Sequence, residues 1–141
     1  MERTGKCLCG AVTYRAKELK PEIGACHCSM CRRWTGGPLL AASSGDVAWQ
    51  GDDEIRTFKS SDWAERGFCS QCGSALFYRV TAPGPHQGTY HLAFGTLDDQ
   101  SGFTIDKEWF IDKKPDAYTL AGEHKTLTEA EVFAMFSGGA G

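Results

Sequence analysis

Nowhere in its 141 residues does the chain carry an apolar run long enough to span a bilayer. Its first residues, Met1 to Lys6, are polar and lack both the apolar stretch and the small-residue cleavage site of a secretion signal. The expected setting is the cytoplasm, with no membrane partner. Excess basic charge is missing too: the net charge is −3 and the pI about 5.8. The basic doublets Arg32-Arg33 and Lys113-Lys114 fall short of the clustered face that binding to a phosphate backbone needs, so nucleic acid is not an expected partner. There is no solenoid-type repeat and no linker that would divide the chain. A single domain over residues 1–141 is expected, of ordinary globular composition.

Short runs with strand character recur between turn signals: Ala11 to Arg15, Leu39 to Ala42, Val47 to Gln50, Ile55 to Phe58, Ala75 to Val80 and Tyr90 to Phe94. Gly36-Gly37-Pro38, Gly45-Asp46, Gly51-Asp52-Asp53 and Ala82 to Gly88 separate them as loops. The fold class expected is mainly β. One helix is legible near the end, where Thr128-Glu129-Ala130-Glu131 has capping-box spacing and Val132, Phe133 and Phe136 share a face. Gly138-Gly139 is expected to stop it. Trp49, Phe58, Trp63, Phe68 and Phe77 read as core aromatics.

The chemistry lies in seven cysteines, which fall in three tight groups: Cys7-Leu8-Cys9, Cys26-His27-Cys28-Ser29-Met30-Cys31 and Cys69-Ser70-Gln71-Cys72. One turn of backbone can aim two closely spaced thiolates at one ion, and Cys-x-x-Cys followed by a small residue, here Gly73, is the zinc-knuckle form. An odd count and a reducing compartment oppose a disulfide framework. Structural zinc takes four protein ligands, whereas catalytic zinc keeps three and an exchangeable position. Seven therefore divide as four plus three. Cys7, Cys9, Cys69 and Cys72 together complete one tetrahedron, while Cys26, Cys28 and Cys31 converge locally on a second ion. A rival division closes both sites by taking His27 as an eighth ligand. In an extended Cys-x-Cys segment, however, the intervening side chain points the other way. Hydrogen bonding behind the ligands, or packing, suits His27 better. His86, His91 and His124 have no ligand spacing.

Three segments carry a resemblance to a known family. They are Gly5-x-Cys7-x-Cys9-Gly10-x-Val12, Cys26-His27-Cys28-Ser29-x-Cys31-Arg32-Arg33-x-Thr35-Gly36, and Arg66-x-Phe68-Cys69-x-x-Cys72-Gly73-Ser74. With them the chain resembles the glutathione-dependent formaldehyde-activating enzyme family, which also includes centromere protein V. Trp109 to Tyr118 resembles that family's closing region more loosely. The resemblance implies stacked antiparallel sheets, sometimes called a β-tent, stabilised by zinc and followed by the short C-terminal helix. It also implies that Cys7, Cys9, Cys69 and Cys72 are structural and that Cys26, Cys28 and Cys31 form the active site.

On this reading, two zinc ions serve a carbon–sulfur lyase-type reaction between a glutathione-like thiol and a small aldehyde. The open position would present the thiol as its thiolate. Arg32, Arg33 and Arg66 are candidate contacts for the tripeptide's carboxylates, and Ser29, Thr35 and Ser74 are candidate hydrogen-bond donors. Two other functions fit the same cysteines: a non-enzymatic zinc-dependent binding module for thiols or small molecules, and a zinc-stabilised scaffold. Nothing in the sequence specifies the oligomeric state.

Overall fold

The computed structural model describes residues 1–139. Its elements run β1 (Arg3–Lys6), β2 (Thr13–Lys17), β3 (Glu22–Cys26), α1 (Ser29–Thr35), β4 (Leu39–Ser44), β5 (Asp46–Gln50), β6 (Ile55–Lys59), β7 (Ala64–Cys69), β8 (Ala75–Val80), β9 (Tyr90–Ala93), β10 (Thr104–Trp109), β11 (Lys125–Leu127) and α2 (Glu129–Gly139). The fold is mainly β, as expected. None of its helices is long and apolar enough to cross a membrane. The chain groups into two compact units, one from Met1–Pro21 and Ala41–Phe103, the other from Glu22–Leu40 and the residues from Thr104 onward.

In the first unit, β1, β2 and β5 form one antiparallel sheet, and β4, β9, β8, β7 and β6 run side by side, also antiparallel. Alternation sets the inner faces: along β2, Tyr14 and Ala16 are buried while Arg15 and Lys17 are exposed. Tyr14 and Trp49 from the smaller sheet meet Phe77 and Tyr90 from the larger, with ring centroids 4.9–5.6 Å apart. These four rings form the contact through which the sheets stack.

Two glycines make room for that core. Gly5 lies opposite Tyr14 and Gly67 opposite Phe77, and a Cβ at either position would sit 2.2–2.3 Å from the facing ring. Each stands two residues before a cysteine, Cys7 and Cys69 respectively. The close approach of backbone to ring thus fixes both strands just where they enter a cysteine turn.

His91 on β9 faces Ser43 on β4, with Nδ1 2.9 Å from the Ser43 hydroxyl. Burial, with His86 adding to it, lowers the His91 pKa to about 4. Between the unfolded value of about 6.5 and that folded value, the unfolded chain binds a proton that the folded chain refuses. Stability is therefore greatest above about pH 6.5 and falls as pH drops toward 4, by up to about 3 kcal/mol from this group. His91→Gln, which keeps an acceptor for Ser43, is expected to flatten that fall relative to wild type in denaturant titrations at pH 7 and 4.5. Equal falls in the two proteins would refute it.

The second unit departs from the all-antiparallel expectation. Here β10 pairs in parallel with both β3 and β11. Because β3 and β10 point the same way, they end together, with Trp109 opposite Cys26. The carboxyl ends of parallel strands commonly carry sites, and the second cysteine group starts there.

Helix α1 follows directly and had no periodic signature, being seven residues long. Cys28 is its N-cap, and Gly36, at φ 85°, ends it by donating its N–H to the Arg32 carbonyl at 2.8 Å. Gly36-Gly37-Pro38 is thus a helix terminator as well as a loop. The capping box of α2 forms as read: Glu131 N–H donates to the Thr128 hydroxyl at 3.2 Å, and Thr128 N–H to the Glu131 carboxylate at 3.1 Å.

Three expectations need correcting. Helix α2 includes Gly138 and Gly139 instead of stopping before them, since its last turn tolerates glycine. On the face read for this helix, Val132 is buried, and Phe133 and Phe136, half exposed, have ring contacts with Phe110 and Trp109. Phe58 and Trp63 are exposed as well, at 63% and 48%, because they belong to β6, the last strand of its sheet, and to the turn before β7.

Candidate functional site

The first cysteine group belongs to the first unit. After β1 the chain turns at Cys7-Leu8-Cys9-Gly10, with Gly10 N–H on the Cys7 carbonyl at 3.2 Å and Cys7 N–H on the Val12 carbonyl at 3.0 Å. After β7 it turns again, and Gly73 N–H meets the Cys69 carbonyl at 2.8 Å. Gly10 and Gly73 sit at φ 81° and 77° with open space around their Cα atoms, so it is the dihedral angle and not room that calls for glycine. Ser74 joins the two turns. Its oxygen accepts from Leu8 N–H at 3.0 Å, and its hydroxyl lies 3.1 Å from Cys72 Sγ.

These turns bring the Sγ atoms of Cys7, Cys9, Cys69 and Cys72 within 4.8 Å of one another. Cys7 and Cys9 are 3.7 Å apart, and Cys9 and Cys69 3.9 Å. A disulfide would require about 2.05 Å, whereas four thiolates held at ~2.3 Å around one tetrahedral ion stand about 3.8 Å apart. Backbone N–H groups point at the sulfurs, Val12 to Cys7 and Gln71 to Cys69, each at 3.4 Å. The donor set fits a metal ion.

Its electrostatics agree. Ser74, through side chain and backbone, lowers the Cys72 pKa to about 5. At Cys9 the Ala11 N–H favours the thiolate, but desolvation and the three neighbouring sulfurs outweigh it and push the pKa up to about 11. Crowded thiols resist full ionisation until a cation shares their charge.

The second group, Cys26, Cys28 and Cys31, lies wholly in the second unit and also has its Sγ atoms within 4.8 Å. Cys26 ends β3, Cys28 caps α1, and Cys31 is the buried residue of its first turn. Cys31 N–H points at Cys28 Sγ at 3.4 Å. The hydrogen-bonded sulfurs of Cys28 and Cys31 drive the Cys26 pKa far up, the same crowding as in the first group. Among the described residues no fourth His, Cys, Asp or Glu joins this trio. A tetrahedral ion here would have one corner without a protein ligand.

His27 turns away from it. Its side chain has no exposed surface, with Nε2 2.7 Å from Glu108 Oε1 and Nδ1 3.1 Å from the Tyr118 hydroxyl. The other Glu108 oxygen meets His124 Nε2. Burial alone would raise the Glu108 pKa, but the hydrogen bonds from His124 and His27 prevail and hold it below the ordinary carboxylate value.

Beyond Cys31, Arg32 and Arg33 stand in the last turn of α1 and line a concavity of about 420 Å³ together with Gly36, Gly37, Pro115 and Tyr118. Arg66 is elsewhere. It is buried on β7 with its guanidinium 5.1 Å from the centre of the Tyr78 ring. The Thr35 hydroxyl donates to backbone carbonyls at the end of α1, Ser74 serves the four-cysteine group, and Ser29 is exposed. No local pattern pointed to Glu108 or to His124 as its partner: neither has motif spacing, and 81 residues separate Glu108 from His27.

The model of the family described as glutathione-dependent formaldehyde-activating enzyme matches residues 2–113. A Schizosaccharomyces pombe protein named as an uncharacterised lyase is 32% identical over 132 residues, covering 93% of this chain and 94% of its own. A Halomonas elongata protein that carries the family's name is 35% identical over 83 residues, 52% of this chain and 53% of its own. Both cysteine groups fall inside the matched span, and this chain belongs to the glutathione-dependent formaldehyde-activating enzyme family.

Proposed function

We propose that the protein is a zinc-dependent carbon–sulfur lyase-type enzyme that forms or cleaves the S-hydroxymethyl adduct of a glutathione-like thiol and a small aldehyde. The observation that carries this reading is the three-cysteine group, with no fourth protein ligand among the described residues, at the start of the helix that also presents Arg32 and Arg33 to a cavity. Thiolate donors select soft or borderline ions, which favours zinc at both groups. Cys7, Cys9, Cys69 and Cys72 would hold a structural ion, and Cys26, Cys28 and Cys31 the reactive one. Cysteines grouped as metal ligands suit a reducing compartment such as the cytoplasm.

Cys26, Cys28 and Cys31 would hold the zinc ion, which would supply stabilisation of a substrate thiol as its thiolate. Arg32 and Arg33 attract the substrate's carboxylates and orient its sulfur toward the trio. Tyr118 and Pro115 bound the same cavity and restrict its far side. In the synthetic direction the sulfur adds to the aldehyde carbon, the carbonyl π pair moves to oxygen, and the thiol's proton ends on that oxygen. The reverse direction returns thiol and aldehyde. No electron acceptor is needed.

Exchange spectroscopy by NMR tests the reaction. Interconversion of glutathione and formaldehyde with their adduct should accelerate in proportion to protein concentration, above the spontaneous rate and above a zinc-free control. If no small thiol and aldehyde pair is accelerated while a thiol still binds, the binding-module reading takes over.

A further inference from the structure

The reaction as drawn uses neither Glu108 nor His124, yet their side chains are only 7% and 5% exposed. A carboxylate buried so deeply is costly unless hydrogen bonds satisfy it. Glu108 has two imidazole partners, His27 on one oxygen and His124 on the other. A carboxylate only accepts, so both Nε2 atoms carry hydrogen. His27 Nδ1 shares a further hydrogen bond with the Tyr118 hydroxyl. The bonds form one continuous network linking His124, Glu108, His27 and Tyr118, with both imidazoles donating to Glu108, and Tyr118 lines the cavity beside Arg32 and Arg33.

The main chain of His27 is tied as well. Its N–H donates to the Trp109 carbonyl at 3.0 Å, and its carbonyl accepts from Arg32 Nε at 2.9 Å. The residue between Cys26 and Cys28 is thus fixed at four atoms. This matters most at a three-ligand group, where among the described residues no fourth protein ligand braces the mutually repelling sulfurs. At the four-cysteine group a second pair of ligands and Ser74 do that work.

We propose that Glu108 and His124 are positioning residues for the three-cysteine site. Through His27 they set the directions of Cys26 and Cys28, and through Tyr118 they set the cavity wall. The proposal rests on the metal reading of that site but not on the reaction, so metal binding tests it. Glu108→Gln removes the double acceptor, and His124→Leu removes one donor while leaving His27 in place. His124→Gln keeps an N–H for Glu108 and serves as the conservative control.

Wild-type protein titrated with Co²⁺ should take two ions, each with thiolate charge-transfer absorption. In Glu108→Gln and His124→Leu the second ion should bind about 10- to 100-fold more weakly, with an altered d–d spectrum. The first ion and the far-UV circular dichroism should be unchanged, and His124→Gln should restore most of the affinity. Two wild-type sites with variants that match them in affinity and spectrum overturn the proposal alone. So does equal weakening of both ions in step with a lower melting temperature, which is what a purely structural role would give. A wild type that takes one ion overturns the metal reading, and the proposal with it.

Discussion

Cys72→Ser is expected to leave the protein aggregated or largely unfolded at 25 °C. Its thiol belongs to a group that ties the turn after β1 to the turn after β7, across 60 residues between Cys9 and Cys69. When a metal closes such a loop, its binding free energy is folding free energy, about 10–16 kcal/mol for structural zinc sites. Whole domains are stable by only about 5–15 kcal/mol, so losing even a third of that contribution, about 3–5 kcal/mol, removes a large part of the margin. Serine also forfeits the Sγ contact with Ser74, which spans both turns. Circular dichroism melts with matched metal supplementation measure this. A melting temperature within a few degrees of wild type would count against a structural metal.

Cys28→Ser should behave in the opposite way. The protein is expected to fold with nearly unchanged far-UV circular dichroism while losing about one of two zinc ions and at least ~90% of any thiol-dependent activity. Two thiolates hold the ion poorly. The helix survives because Cys28 is also the N-cap of α1 and its Sγ accepts the Cys31 N–H. Serine, among the preferred N-cap residues, can accept the same bond. The substitution thus separates ligation from helix capping. Elemental analysis, activity and circular dichroism on one preparation decide it. If Cys28→Ser unfolds while Cys72→Ser stays stable and inactive, the two groups have been assigned the wrong way round. Collapse of both variants would favour two structural sites and remove the enzyme reading.

How far the sequence reached depended on the range of each interaction. The cysteine groups were legible because ligand geometry is set within two to five residues. The direction of His27 was legible too, since alternation along an extended segment is local. Strands with a clear pattern, such as Ala75–Val80, appear at the bounds read for them. Others gave no signal. Arg3–Lys6 is four residues of mostly polar sequence, Glu22–Cys26 includes a glycine, and Ala64–Cys69 is buried at four of its six positions without regular alternation. Helix α1 is two turns long, below the span over which a 3.6-residue period emerges. Parallel pairing of β3 with β10 and the bond between Glu108 and His27 depend on residues about 80 positions apart, and no local pattern encodes such partners.

That separation also orders events on the ribosome. Cys26, Cys28 and Cys31 are synthesised early, but the Glu108 that binds His27 comes 81 residues later, and Tyr118 comes 91 later. At about 5–20 residues per second, the trio exists for roughly 4–16 s before Glu108 is added. During that interval its sulfurs have neither β10 beside them nor the carboxylate behind His27. The four-cysteine group, by contrast, has all its ligands once Cys72 is made. A nascent chain would therefore have its four-cysteine group complete while the three-cysteine group still awaits its support, and the trio would be the later of the two to mature.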